Sequence, residues 1–203
     1  MLGLGQCRAQ APTIVINSLP FTISAPGTYV LTNDLSALQA SPAITIPATV
    51  TGPVIVDLNG HTITGLTPTG AGTLGIVIGF DFGPTGNAYP ITVRNGTLTN
   101  FNEALRTQDA APLSDITIQN IIFNNDQTGI QFSQTGFSSI SGCKFNGVTY
   151  GIYDYLSPGG NSYTNCTFTN SPPNTLSTPL TINGLQNGGV PTNLISCQFG
   201  APK

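Results

Sequence analysis

Charge is what this chain has least of: 6% of its 203 residues are ionisable Asp, Glu, Lys or Arg, against about a quarter in an average soluble domain. Five basic residues scattered along the sequence and a net charge of −3 leave no cationic stripe to neutralise a phosphate backbone, which excludes nucleic acid as a partner. Long apolar runs are also missing. No segment approaches the roughly 18 uninterrupted apolar residues of a spanning helix, so no membrane span is expected. There is one histidine, His61, and no histidine or second cysteine accompanies any cysteine at ligand spacing. Neither a metal site nor a bound cofactor is therefore expected.

An apolar fraction of 39% is enough for a sizeable buried core in a single domain. The polar exterior must come from Thr, Ser and Asn together with 24 Gly and 16 Pro, so it is neutral and rich in hydroxyl and amide groups. Residues 1–11 read as the tail of an export signal or as an ordinary flexible end, because Ala9-Gln10-Ala11 has the small-x-small form of a cleavage site just before Pro12. A lipid anchor through Cys7 fits less well, since Gln6 stands where such a signal wants a small residue. The folded domain is expected over 12–203, in an exported, extracytoplasmic setting.

Phe123, Phe145, Phe168 and Phe199 recur at intervals of 22, 23 and 31 residues, each closing a short segment such as Gly142-Cys143-Lys144-Phe145. A second register runs through Ile76, Leu105, Ile130, Ile152 and Leu180 in steps of 29, 25, 22 and 28. Repeats of this length stack one supersecondary unit on the next. The segments alternate or run apolar with β-branched residues, as in Val54-Ile55-Val56-Asp57-Leu58 and Ile116-Thr117-Ile118-Gln119, and are divided by Asn-Gly, Gly-Pro and Pro-Gly turn signals. No helix is expected. A hairpin meander shares these signals but would not keep one residue type in one slot over four units; like stacked on like points to parallel windings.

The expected fold is all-β: a single chain wound as a right-handed parallel β-helix, a solenoid of about seven coils forming a rod body on the order of 30 Å long. Slot alignment places Val93, Ile118 and Ile140 in one inward column. Beside it, Asn95, Asn120 and Asn165 form an inward ladder at a turn, where an asparagine can satisfy the bend and bond to the next one up the stack. The four phenylalanines, with Ile63 and Leu98, form an apolar spine. Cys143, Cys166 and Cys197 share one slot and are expected as buried thiols; parallel in-register side chains rarely meet the torsion of a disulfide, which disfavours a Cys143–Cys166 bridge.

The segments Pro26-Gly27-Thr28-Tyr29-Val30-Leu31 and Asp57-Leu58-Asn59-Gly60-His61-Thr62-Ile63, followed by repeats ending in Asn-x-x-Phe, resemble the right-handed parallel β-helix proteins of the pectate-lyase-like superfamily across roughly residues 14 to 199. The resemblance implies the fold and leaves function open, because the superfamily includes polysaccharide lyases, glycoside hydrolases, epimerases, phage adhesins and repeat proteins of no assigned activity. Its hydrolases of the polygalacturonase type would bring a cluster of aspartates, a Gly-His-Gly and an Arg-x-Lys. This sequence has none of them. Its lyases would need several carboxylates to hold Ca²⁺ and a basic residue beside a uronate carboxyl group. No catalytic residue is assigned; His61 follows the Asn59-Gly60 turn and is expected to pack there.

Two outward features remain. Asp57 and Arg94 are expected as an exposed cross-strand pair on adjacent coils. On the other strand face, Glu103, Arg106, Asp126 and Asp154 are expected near outward Gln131 and Tyr153, while Tyr150, Tyr153, Tyr155 and Tyr163 cluster in one coil and its loop. Aromatic faces among hydroxyl and amide groups can stack on sugar rings, so Tyr153, Tyr155, Gln131, Asp154 and Arg106 form the candidate glycan-binding set. Both sequons, Asn95-Gly96-Thr97 and Asn165-Cys166-Thr167, fall on the asparagine ladder and read as structural. The sequence therefore suggests an exported, non-catalytic structural or glycan-binding element at a cell surface. The alternatives are a polysaccharide lyase or glycoside hydrolase, and a fibre subunit associating through its solenoid ends, where the segment finishing at Phe199 has no obvious polar cap.

Overall fold

The computed structural model describes residues 12–38, 41–66, 73–79, 89–108, 113–155, 160–169, 178–183 and 193–199. Within them the protein is all-β without helix, its parallel strands stacked as a solenoid. The chain passes in turn along a thirteen-stranded sheet, whose main path has eight strands, and a seven-stranded sheet. A two-stranded ladder joins Leu113–Ser114 to Thr135–Gly136. Each strand pairs with its counterpart one winding away.

The registers reproduce the repeat read from the sequence. In the second sheet Ile44, Ile76, Leu105, Ile130, Ile152 and Leu180 are successive partners. In the first sheet one inward column runs Tyr29, Val56, Val93, Ile118, Ile140 and Tyr163, all buried. A second runs Leu35, Ile63, Leu98, Phe123, Phe145 and Phe168 and reaches Phe199 by backbone register. The three phenylalanine rings of that spine are buried and nearly parallel, with centroids 4.8 and 4.6 Å apart. Such spacing is imposed by the roughly 4.8 Å between strands, so stacking geometry follows from the backbone.

The windings bend where the backbone enters the left-handed region. Asn95, Asn120, Gly142, Asn165 and Ser196 occupy one turn column with φ of 59, 53, 63, 54 and 53°. Asn100, Asn125 and Gly147 occupy a second, at 62, 55 and 60°. Asparagine tolerates this conformation better than other residues with a Cβ, which explains its recurrence. The Asn120 amide donates to Asn95 Oδ1 at 3.4 Å, and that of Asn125 to Asn100 Oδ1 at 2.6 Å. The bonds up the stack are therefore present, but the orientation differs from expectation. Asn120 and Asn165 are exposed and Asn95 is half-exposed, because a left-handed residue at a convex corner directs its side chain away from the core. The ladder is external, not inward. Gly142 is glycine for a local reason: a Cβ there would stand 2.5 Å from Asn120 Oδ1.

Cys143 and Cys166 are free and buried, and Cys197 is free and half-buried. Cys7, like Asp81 and Asp109, lies outside the described residues, as do residues 1–11 and the chain beyond Phe199.

Candidate functional site

The outer face of the second sheet brings the candidate residues together. Its strands Glu103–Thr107, Thr128–Ser133 and Tyr150–Tyr155 lie side by side. Glu103, Thr128 and Tyr150 are register partners, and so are Arg106, Gln131 and Tyr153. Two outward files result. Each reads ion, polar group, aromatic ring along the solenoid. Two glycines of this sheet have no room for a side chain: a Cβ on Gly75 would stand 2.2 Å from the Ala104 carbonyl, and one on Gly129 would stand 2.7 Å from both the Gly151 carbonyl and the buried Phe145 ring.

Thr128, Gln131, Tyr150 and Tyr153 line a concavity of about 300 Å³. Tyr155 extends it: the rings of Tyr153 and Tyr155 are 6.1 Å apart and nearly parallel, as residues two apart on one face of a strand must be. Tyr150 and Tyr155 are 39% and 40% exposed. At the next winding Arg106 Nη1 donates to Glu103 Oε2 at 3.2 Å, while Arg106 Nε is buried without a hydrogen-bond partner among the described residues. The floor is thus neutral and aromatic, with one ion pair at its border.

Two acids expected on this face are elsewhere. Asp154 is 1% exposed because it has the strand parity of buried Ile152 and stands in register with buried Phe132. Its Oδ2 accepts from Tyr163 at 2.7 Å and from Asn161 at 2.9 Å, and Asn161 also ties Ser138 and Thr135 into the network. Asp126 is fully buried, and its Oδ1 accepts from the Phe101 N–H at 2.8 Å. Burial pushes the Asp126 carboxyl well above its usual range, against the lowering effect of backbone bonds at Phe101 and Asn124. Tyr163, expected in the tyrosine cluster, is likewise interior, and burial followed by the Asp154 carboxylate raises its phenol. Period-two counting from Ile152 to Asp154 was the available signal for this inversion; the inward Ile140 slot was the signal for Tyr163.

Two further pairs of ionisable groups form local ties. Arg94 Nε donates to Asp57 Oδ2 at 2.8 Å, as expected of partners on adjacent windings, and Asp57 Oδ1 also accepts from Asn95 and from the Asn59 N–H. His61 follows Asn59 and Gly60, both at positive φ, and its Nδ1 lies 3.2 Å from Asp34 Oδ1. The Thr62 N–H, then His61, hold the exposed Asp34 carboxyl below its ordinary value. Among the described residues no three His, Cys, Asp or Glu side chains converge on a metal-sized point. A smaller recess of about 130 Å³, bordered by Leu19, Pro20, Ala37 and Pro42, has no ionisable lining.

Among the described residues, Cys143, Cys166 and Cys197 form a file of thiols, the last of them half-buried. The neighbouring Cys143 thiol lowers Cys166 to about 7, while Cys166 and burial raise Cys143. Comparison of the chain with family models, with curated proteins and with solved structures found no match. No helix among the described residues is long and apolar enough to cross a membrane.

Proposed function

We propose that this chain is an exported, non-catalytic β-helix of the pectate-lyase-like kind that binds glycan at a cell or particle surface. The observation that carries this reading is the concavity formed by Tyr150, Tyr153, Gln131 and Thr128, extended by the stacked Tyr155. Tyrosine faces match the apolar faces of sugar rings, and the amide of Gln131 and hydroxyl of Thr128 match ring hydroxyls. A floor without net charge favours a neutral sugar, with the Arg106–Glu103 pair marking one edge. The winding is taken as right-handed, the hand that parallel crossovers adopt in nearly every sheet, and its stacked strands make about five turns where the sequence led us to expect about seven coils.

Binding is favoured over catalysis by what five of the six described carboxylates already do. Asp57 and Glu103 are paired with arginines, Asp34 caps Thr62, and Asp126 and Asp154 are interior. A glycan array probed with the native protein and with Tyr153→Ala tests the reading. Signal on neutral glycans that falls in the variant supports it, whereas equal signal removes the strip. A parallel incubation with acidic polysaccharides, with and without Ca²⁺, assays unsaturated products and new reducing ends; either product would replace this reading with a lyase or hydrolase.

A further inference from the structure

Cys143, Cys166 and Cys197 occupy one slot on three successive windings, and their side chains are oriented alike. Each thiol lies against the carbonyl two residues before it, Ser141 at 3.5 Å, Thr164 at 3.6 Å and Ile195 at 3.7 Å. Each also lies against a carbonyl of the preceding winding, Ile118 at 3.8 Å, Ile140 at 3.8 Å and Tyr163 at 3.4 Å. The sulfurs are therefore related by translation along the stack, one strand spacing of roughly 4.8 Å at a time. A disulfide requires sulfurs about 2.05 Å apart and a near-perpendicular torsion, which translated side chains do not supply. A zinc–thiolate bond is about 2.3 Å, and two metal–thiolate bonds of that order laid end to end span about 4.6 Å, near the spacing the backbone imposes.

We propose that Cys166 and Cys197 form a two-coordinate site for a soft monovalent cation of the Cu(I) or Ag(I) class. Thiolate ligands select such ions. Zinc would need about four ligands, and no third His, Cys, Asp or Glu converges here among the described residues. Binding converts two thiols and one M⁺ into a bis-thiolate complex of charge −1 and releases two protons to water, so atoms and charge balance without an oxidant. The resulting anion selects the pair. Cys143 and Cys166 are both buried, whereas Cys197 is half-buried, so the Cys166–Cys197 pair alone keeps the complex in contact with solvent and gives the ion a way in.

The test uses full-length protein carrying Cys7→Ser, freshly reduced and titrated anaerobically with Cu(I) against a chromophoric chelator, with native mass spectrometry for stoichiometry and X-ray absorption for coordination. The expected result is one Cu(I) per chain with two sulfur neighbours, affinity at least about a hundredfold lower in Cys166→Ser and in Cys197→Ser, and unchanged affinity in Cys143→Ser. Circular dichroism checks that each variant is folded; Cys197→Ser, at the half-exposed end, decides the matter if the interior Cys166→Ser does not fold. Absence of binding, three or more sulfur neighbours, or affinity insensitive to Cys197→Ser overturns the proposal. So does a mass loss of two on mild oxidation with diamide that Cys197→Ser abolishes, because it would place these sulfurs at bonding distance.

Discussion

Asp126 sets the sharpest expectation at the scale of single residues, because a buried carboxyl in a chain so poor in charge dominates its own pH range. Its folded value is raised by burial above the unfolded 3.8, so folding takes up a proton between the two values. The stability linked to this group is complete below about pH 3.8 and is lost as pH rises through the folded value. Asp34 acts in the opposite sense: its folded value is lowered, so its contribution is present above the unfolded value and fades on acidification. Urea midpoints followed from about pH 4 to about pH 7 should fall in the native protein and fall less in Asp126→Asn, which keeps an acceptor for the Phe101 N–H. Equal slopes would remove Asp126 as the cause. On the outer face, Tyr153→Ala should weaken neutral-oligosaccharide binding by about three- to tenfold in calorimetry, the range expected for one aromatic contact, with the thermal midpoint nearly unchanged.

Within the elements, the phenylalanine stack and the asparagine corners carry different kinds of stability. Phe145 is packed between Phe123 and Phe168 and beneath Gly129, so Phe145→Ala leaves a cavity that the strands cannot close and should cost about 3–5 kcal/mol in chemical denaturation. Asn125 acts through backbone conformation. Asn125→Ala places an ordinary side chain at positive φ and removes the bond to Asn100, for about 1–2 kcal/mol, while Asn125→Gly should cost less because glycine accepts that φ. If the two variants are equally destabilised, the corner is not limited by its dihedral. These elements were legible because identical residues recur in identical slots: the phenylalanines, the Ile76-to-Leu180 file and Val93–Ile118–Ile140 all follow from counting. Facing direction at a corner was not legible, since a left-handed residue breaks the two-residue alternation; hence Asn95, Asn120 and Asn165 turned out external. Asp154 and Tyr163 face inward because each stands in a slot whose neighbours are buried, and strand parity decides the facing of a side chain ahead of its charge or phenol.

Across the whole molecule, the parallel registers turn a list of repeats into faces, and the outer face of the second sheet is where aromatic, amide and hydroxyl groups meet. Its composition was readable from sequence once Ile130 and Ile152 were aligned; the tight contacts of Gly75 with Ala104 and of Gly129 with Gly151 were not, because they depend on the fold. The most direct measurement is electron paramagnetic resonance of nitroxides placed at Gln131→Cys and Tyr153→Cys, with Cys7 and Cys197 replaced by serine. These register partners lie 22 residues apart in sequence and should stand about one strand spacing apart, giving a spectrum strongly broadened by spin–spin interaction relative to either single label. A doubly labelled spectrum equal to the sum of the two singles would contradict the in-register stack and, with it, the binding face.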